Sequence, residues 1–191
     1  MIGVRGIGAF FGFGLMALAS RLDPRVSLTI AFSLQGLSGL YMASFNIDMT
    51  FSQVAWAGII QGIGVGMAWV PISVLTFSTL DKRYFGEGTA MYHLIRNVAS
   101  SFFISITVAV VLHTGQISFG NLSSLVTDWN TGLALNFTDQ FIENFDKVTI
   151  KNLTAEVNRQ SLMIGYINSF MLFAIVSFLT IPFLFLIKEK K

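Results

Sequence analysis

An all-α membrane protein is the fold class this sequence predicts, and three observations predict it. Hydrophobic residues make up 53% of the 191-residue chain and charged residues only 12%, against about 25% charged in soluble domains, whose surfaces need those side chains. The apolar residues fall into five runs, each long enough to cross about 30 Å of hydrocarbon as a helix. None of the runs alternates polar and apolar residues at period two, which argues against a transmembrane barrel. The composition also argues against a soluble enzyme, a disordered tail and a disulfide scaffold. With no cysteine in the chain, a thiol nucleophile and a thiolate metal site are ruled out.

The five predicted spans are residues 2–19, 26–44, 54–76, 89–112 and 162–187. The first is rich in Gly and Phe and carries Arg5 near its start. A short loop holding Arg21, Asp23 and Arg25 leads into the second, and 45–53 joins the second to the third with no Lys or Arg. Residues 80–88 hold Lys82 and Arg83, 113–161 form a long polar connection, and the tail at 188–191 carries three lysines. With five spans, both basic loops and the tail fall on one side, which the positive-inside rule makes the cytoplasm. The 45–53 loop and the 113–161 loop then face outward. The long loop holds five acids against Lys147, Lys151 and Arg159, so it has no cationic bias. The net charge of +2 is spread between hydrophobic runs and forms no nucleic-acid patch.

This topology makes the first span begin outside, with Arg5 close behind Met1. Ala17-Leu18-Ala19 offers the alternative of a cleaved leader, which Arg21 and Arg25 immediately after the apolar run argue against. The expectation is instead that a preceding span belongs with this chain.

Polar and small residues within the spans carry the functional signal. In the third span Gly58, Gly62 and Gly66 recur every four residues on one helix face, where the absence of side chains lets two backbones approach in lipid. This favours either static packing or a sliding contact. Pro71 removes a backbone donor further along the same helix, and Gln61 is the strongly polar side chain at its middle.

The fourth span carries Arg96, eight residues past Gly88 and so about 12 Å into the helix. An arginine at that depth costs several kcal/mol unless solvated or paired. Tyr92, Arg96 and Ser100 share one face, and His93, Asn97 and Ser101 the adjacent one. This polar stripe belongs toward a bundle interior or a wet cavity, as a substrate or gating surface; the alternative is an arginine reaching the cytoplasmic interface. No Asp or Glu lies in any span, so the chain carries no evident proton carrier of its own. In the long loop Phe137, Phe141, Phe145 and Val148 fall at helical spacing among acids, the pattern of an amphipathic helix. Asn121, Asn136 and Asn152 open glycosylation-type triplets there.

Four passages resemble the C-terminal part of a major facilitator superfamily drug exporter of the 14-span EmrB/QacA type. They are the basic loop Ala19-Ser20-Arg21-Leu22-Asp23-Pro24-Arg25; the Gly-rich span from Gly58 to Pro71; Gly86-Glu87-Gly88-Thr89-Ala90 continuing through Arg96 to Ser101; and Gln160, Leu162, Tyr166, Asn168 and Phe170 at the start of the last span. Met16 stands where the family's basic loop begins with Gly, Ala99, Ser100 and Phe103 where it has glycines, and Ser161 where it has Ala.

The resemblance implies that the five spans are the last five of the C-terminal six-helix half, with the N-terminal half missing and its proton-coupling acids with it. It implies a drug:proton antiporter of the inner or plasma membrane, acting on a small hydrophobic drug-like substrate, with a cytoplasmic C-terminus. Gln61, Tyr92, Arg96, Asn97 and Asn168 become substrate-pathway or gating residues, and Arg21, Asp23 and Arg25 a cytoplasmic latch. A periplasmic adaptor protein is the implied outer partner. No catalytic residue, metal or cofactor is implied. The chain is then a truncated exporter; the alternatives are a subunit needing a separately encoded half, or a membrane anchor or sensor.

Overall fold

The computed structural model describes residues 2–18, 23–78, 80–125 and 147–186. Among the described residues all regular structure is helical: α1 (Ile2–Leu18), α2 (Pro24–Ala43), α3 (Phe51–Phe77), α4 (Phe85–Leu125) and α5 (Lys147–Leu186), with one 3-10 turn at Lys82–Tyr84. Four of the helices, α2 to α5, are long and apolar enough to cross a membrane. The first is equally apolar but has only 17 residues, about 26 Å at 1.5 Å per residue and short of the hydrocarbon thickness.

The helix ends follow local chemistry. In α2, Pro24 occupies the first turn, where its missing N–H costs nothing. The helix closes at Ser44, whose hydroxyl donates to the Tyr41 carbonyl at 2.7 Å. At the start of α3 the Gln53 side chain reaches back to accept from the Thr50 amide at 2.9 Å, satisfying a donor that the helix leaves unpaired. α3 remains helical through Pro71, which is fully buried. The Asp81 carboxylate accepts from the Arg83 amide at 3.4 Å in the turn before α4, and Glu87 sits in the first turn of α4, where the helix dipole favours an acid.

Both long helices exceed the hydropathy boundaries. α4 has 41 residues and α5 has 40, about 60 Å each and twice the hydrocarbon thickness. Where hydropathy marks a polar connection at 113–161, the chain is helical over 113–125 and 147–161. Hydropathy reports where lipid ends, whereas backbone hydrogen bonding continues until a breaker intervenes, and 113–125 contains no proline. Phe137, Phe141 and Phe145 lie outside the described residues.

The chain divides into two compact units. The first comprises residues 1–105 and 170–191. Its centre is α3, packed between α1 and α2. The α1 side is a backbone-to-backbone contact. A Cβ added at Gly62 would strike the Arg5 carbonyl and come within 2.9 Å of the Ala9 nitrogen and 3.0 Å of the Gly8 Cα. One added at Gly66 would strike the Ala9 carbonyl and lie 3.0 Å from both the Gly12 Cα and the Phe13 nitrogen. Gly8 and Gly12 answer from α1, where a Cβ would strike the carbonyls of Ile59 and Ile63. Gly58 faces only the Arg5 nitrogen, at 4.0 Å.

The α2 side is sealed by Gly64, whose missing Cβ makes room for the Ala31 carbonyl and the Gln35 Cγ. A buried hydrogen bond from the Ser38 hydroxyl to the Ala57 carbonyl, 2.9 Å, lies on the same interface. Gly36 and Gly39 of α2 accommodate the Phe178 ring and the Phe173–Ala174 segment of α5. Leu28, Ala31, Met67, Ala68 and Leu184 form the core of this unit.

The second unit, residues 106–169, pairs the later part of α4 with the earlier part of α5. Gly165 packs on the Val111 carbonyl, and Gly115 lies beside Leu162 and the Ser161 carbonyl. The Ser169 hydroxyl donates to the Thr107 carbonyl at 3.4 Å.

Candidate functional site

The start of α4 is tied to the end of α3 by aromatic rings. Phe77 stacks on Phe85 with centroids 5.3 Å apart and meets Tyr92 edge-on at 5.7 Å. Tyr92 in turn lies edge-on to His93 at 5.5 Å. Edge-on and offset arrangements match the positive ring rim to the negative face and each contributes about 0.5–1.5 kcal/mol beyond burial. Tyr92 is thereby a strut between the two helices.

One turn on, the Arg96 guanidinium lies over the indole of Trp69, with Cζ 4.1 Å from the ring centroid. The pair links the first third of α4 to α3, and a cation–π contact of this kind is worth about 0.5–2 kcal/mol, most when water is excluded. Arg96 is nonetheless exposed, and none of its N–H groups has an acceptor among the described residues. Asn97 is exposed beside it, its carbonyl accepting from the Ser100 hydroxyl at 2.9 Å. No residue of 85–105 is buried. This stretch of α4 therefore presents an arginine, an asparagine and two serines along an apolar helix with its surface open.

Gln61 is half-buried on α3. Asn168 is exposed on α5 and falls in the second unit. Of the loop residues, Arg21 lies outside the described residues. Asp23 is exposed, and its carbonyl accepts from the Ser27 amide at 3.2 Å. Arg25 is half-buried, with its Nε shielded from solvent and without a hydrogen-bond partner among the described residues. Asp23 and Arg25 make no ion pair with each other; the ion pair among the described residues is Arg159–Glu156 on the surface of α5. Of the packing residues, Gly62, Gly66 and Pro71 are buried and Gly58 stands at the margin.

Two features escape a reading of the sequence alone. Trp69 and Phe77 pass as ordinary lipid-facing aromatics until α4 is laid against α3. Gly8 and Gly12 are a small-residue pair at four-residue spacing, the signal that marks Gly62 and Gly66, but the glycine-rich first run also has Gly3, Gly6 and Gly14, which obscure it.

Comparison with known proteins supplies the remaining finding. Over 149 residues, 76% of this chain and 29% of the relative, the chain is 24% identical to the multidrug export protein EmrB of Haemophilus influenzae. It is 21% identical to the fatty acid resistance protein FarB of Neisseria gonorrhoeae over 88% of this chain and 34% of that protein. It is 24% identical to the colistin resistance protein EmrB of Acinetobacter baumannii over 93% of this chain and 36% of that protein. The chain spans about a third of the length of the curated relatives it matches. No family model matches the chain, and no solved structure matches it significantly. The sequence is related to the EmrB-type multidrug exporters of the major facilitator superfamily.

Proposed function

We propose that this relative of the EmrB-type exporters supplies C-terminal helices of a proton-driven multidrug efflux transporter and works only when joined to further helices. The observation that carries this is the first part of α4, where Arg96 and Asn97 lie exposed within the stretch that hydropathy predicts to span the membrane. Lipid is a poor neighbour for either side chain, so the stripe calls for protein or a water-filled cavity. Relatives about three times as long are consistent with another half providing both. In such a transporter two halves rock about a midplane cavity, with Gln61, Arg96 and Asn97 lining it from this side, Asn168 on the last span, and Arg21, Asp23 and Arg25 acting in a cytoplasmic latch. The proton-loading carboxylates would come from the other half, since no acid lies in the predicted spans. A periplasmic adaptor would meet the outer ends of α4 and α5.

A drug-accumulation assay tests this. Cells expressing the chain alone should accumulate a fluorescent drug as control cells do. Energy-dependent efflux from the chain alone would refute the proposal.

A further inference from the structure

We infer that His93 is a proton-sensitive positioning residue: when its imidazole takes up a proton, Arg96 leaves Trp69 and the clasp between α3 and α4 loosens. The inference rests on the exporter reading for its biological role, but its argument is local. Beyond the Phe77–Phe85 stack at the first residue of α4, two contacts hold this helix to α3. They are the Tyr92 ring on Phe77, with centroids 5.7 Å apart, and the Arg96 guanidinium over the Trp69 indole, 4.1 Å from Cζ to the centroid. His93 sits between them in the chain. It meets Tyr92 edge-on at 5.5 Å. It also precedes Arg96 by three residues, a spacing that brings Cβ atoms to about 5–6 Å on a helix.

Histidine is the side-chain type that ordinarily changes charge between about pH 5 and 8. His93 is exposed, and neither ring nitrogen has a hydrogen-bond partner among the described residues, so a proton can reach it. Neutral, the ring leaves Arg96 undisturbed. Protonated, it sets a second positive charge one turn from the guanidinium, and like charges at that spacing repel. The surroundings do not offset the pair. α3 contains no Asp, Glu, Lys, Arg or His, and neither do residues 170–186 of α5. α1 carries Arg5, and the start of α2 Asp23 and Arg25. The turn before α4 holds Asp81, Lys82, Arg83 and Tyr84, with the Asp81 carboxylate accepting from the Arg83 amide at 3.4 Å. Glu87 of α4 lies six residues before His93, about 9 Å along the axis and about a third of a turn round. Among the described residues no ion pair joins any of these acids to His93 or Arg96. Arg96 is exposed, so the repulsion is relieved when its side chain swings off the indole.

The test uses the whole chain in phosphatidylcholine nanodiscs. Trp56→Phe and Trp129→Phe leave Trp69 as the fluorescent reporter, and His113→Gln leaves His93 as the one histidine. With the His93 imidazole followed by NMR as pH is lowered, Trp69 emission should change in one single-proton step with the same midpoint. His93→Gln should abolish the step. Arg96→Gln should abolish it too and, because coupled equilibria are reciprocal, let His93 hold its proton roughly two- to tenfold more tightly. A step that survives His93→Gln, emission that stays flat while the imidazole titrates, or an imidazole that stays neutral between about pH 5 and 8 overturns the inference. So does a step that survives Arg96→Gln, since the imidazolium would then act on the indole directly. If Arg96→Gln fails to insert, Trp69→Leu removes the other member of the clasp and should tighten proton binding in the same direction; an unchanged midpoint there overturns the inference equally.

Export by the assembled transporter with a flat Trp69 profile would sink this inference and leave the exporter reading standing. A His93-dependent step in a chain that confers no export when joined to the other half would do the reverse.

Discussion

The α1–α3 contact separates the three glycines that the sequence groups together, and alanine substitution measures the separation. A Cβ at Gly66 would lie 3.0 Å from two backbone atoms of α1 and strike a third, the Ala9 carbonyl; at Gly62 the neighbours are equally close and also backbone. Ordinary Cβ contacts fall at 3.4–4 Å, so α1 must retreat by several tenths of an ångström along the whole seam. Overpacking of this kind costs about 1–3 kcal/mol. At Gly58 the Cβ would meet one atom at 4.0 Å, and at Gly14 nothing within 4 Å. All four substitutions gain the same helix propensity, up to about 1 kcal/mol, so the difference between pairs isolates the clash. Gly62→Ala and Gly66→Ala should therefore unfold more readily than Gly58→Ala and Gly14→Ala by about 1–3 kcal/mol, a factor of roughly five to 150 in the unfolding equilibrium. Detergent-titrated unfolding followed by circular dichroism reads this directly. If Gly58→Ala costs as much as Gly62→Ala, or if all four behave like the parent, the close approach of α1 and α3 is wrong.

Three further outcomes are expected. Gly36→Ala brings a Cβ to within 2.7 Å of the Phe178 ring, so it should destabilise by about 1–3 kcal/mol, and Phe178→Leu combined with it should recover part of the loss in a double-mutant cycle; strict additivity would show that the two do not touch. Ser38→Ala removes the buried hydrogen bond to the Ala57 carbonyl and should cost about 0.5–1.5 kcal/mol in the same assay, with no effect counting against that bond. In a transporter completed with its other half, Arg96→Ala should impair export while membrane insertion, followed by fractionation, is unchanged; normal export would make Arg96 a structural residue.

Much of the fold was legible because hydropathy and helix formation obey the same lipid constraint. A backbone in hydrocarbon must satisfy its own hydrogen bonds, so 2–19, 26–44 and 54–76 locate α1, α2 and α3 to within a few residues. The same logic fails at the outer ends of α4 and α5. Water tolerates a helix as readily as a loop, so the polar residues 113–125 and 147–161 gave no sign that the helices continue. Within the candidate site, Arg96 declared itself by its cost in lipid, and its neighbours Tyr92 and Asn97 by helical spacing. Trp69 did not, because an aromatic in an apolar run has no cost to reveal it.

By itself, then, the sequence determined the class of protein and the chemical content of its spans: helices, a cation at depth, no acid, and glycines at four-residue intervals. Tertiary structure decided which of those features meet. It set Gly62 and Gly66 against Gly8 and Gly12 while leaving Gly58 at the margin, and it laid Arg96 on Trp69. Helical periodicity gives the direction of a side chain about its own axis, but the depth and rotation of a neighbouring helix depend on all of their packed surfaces together.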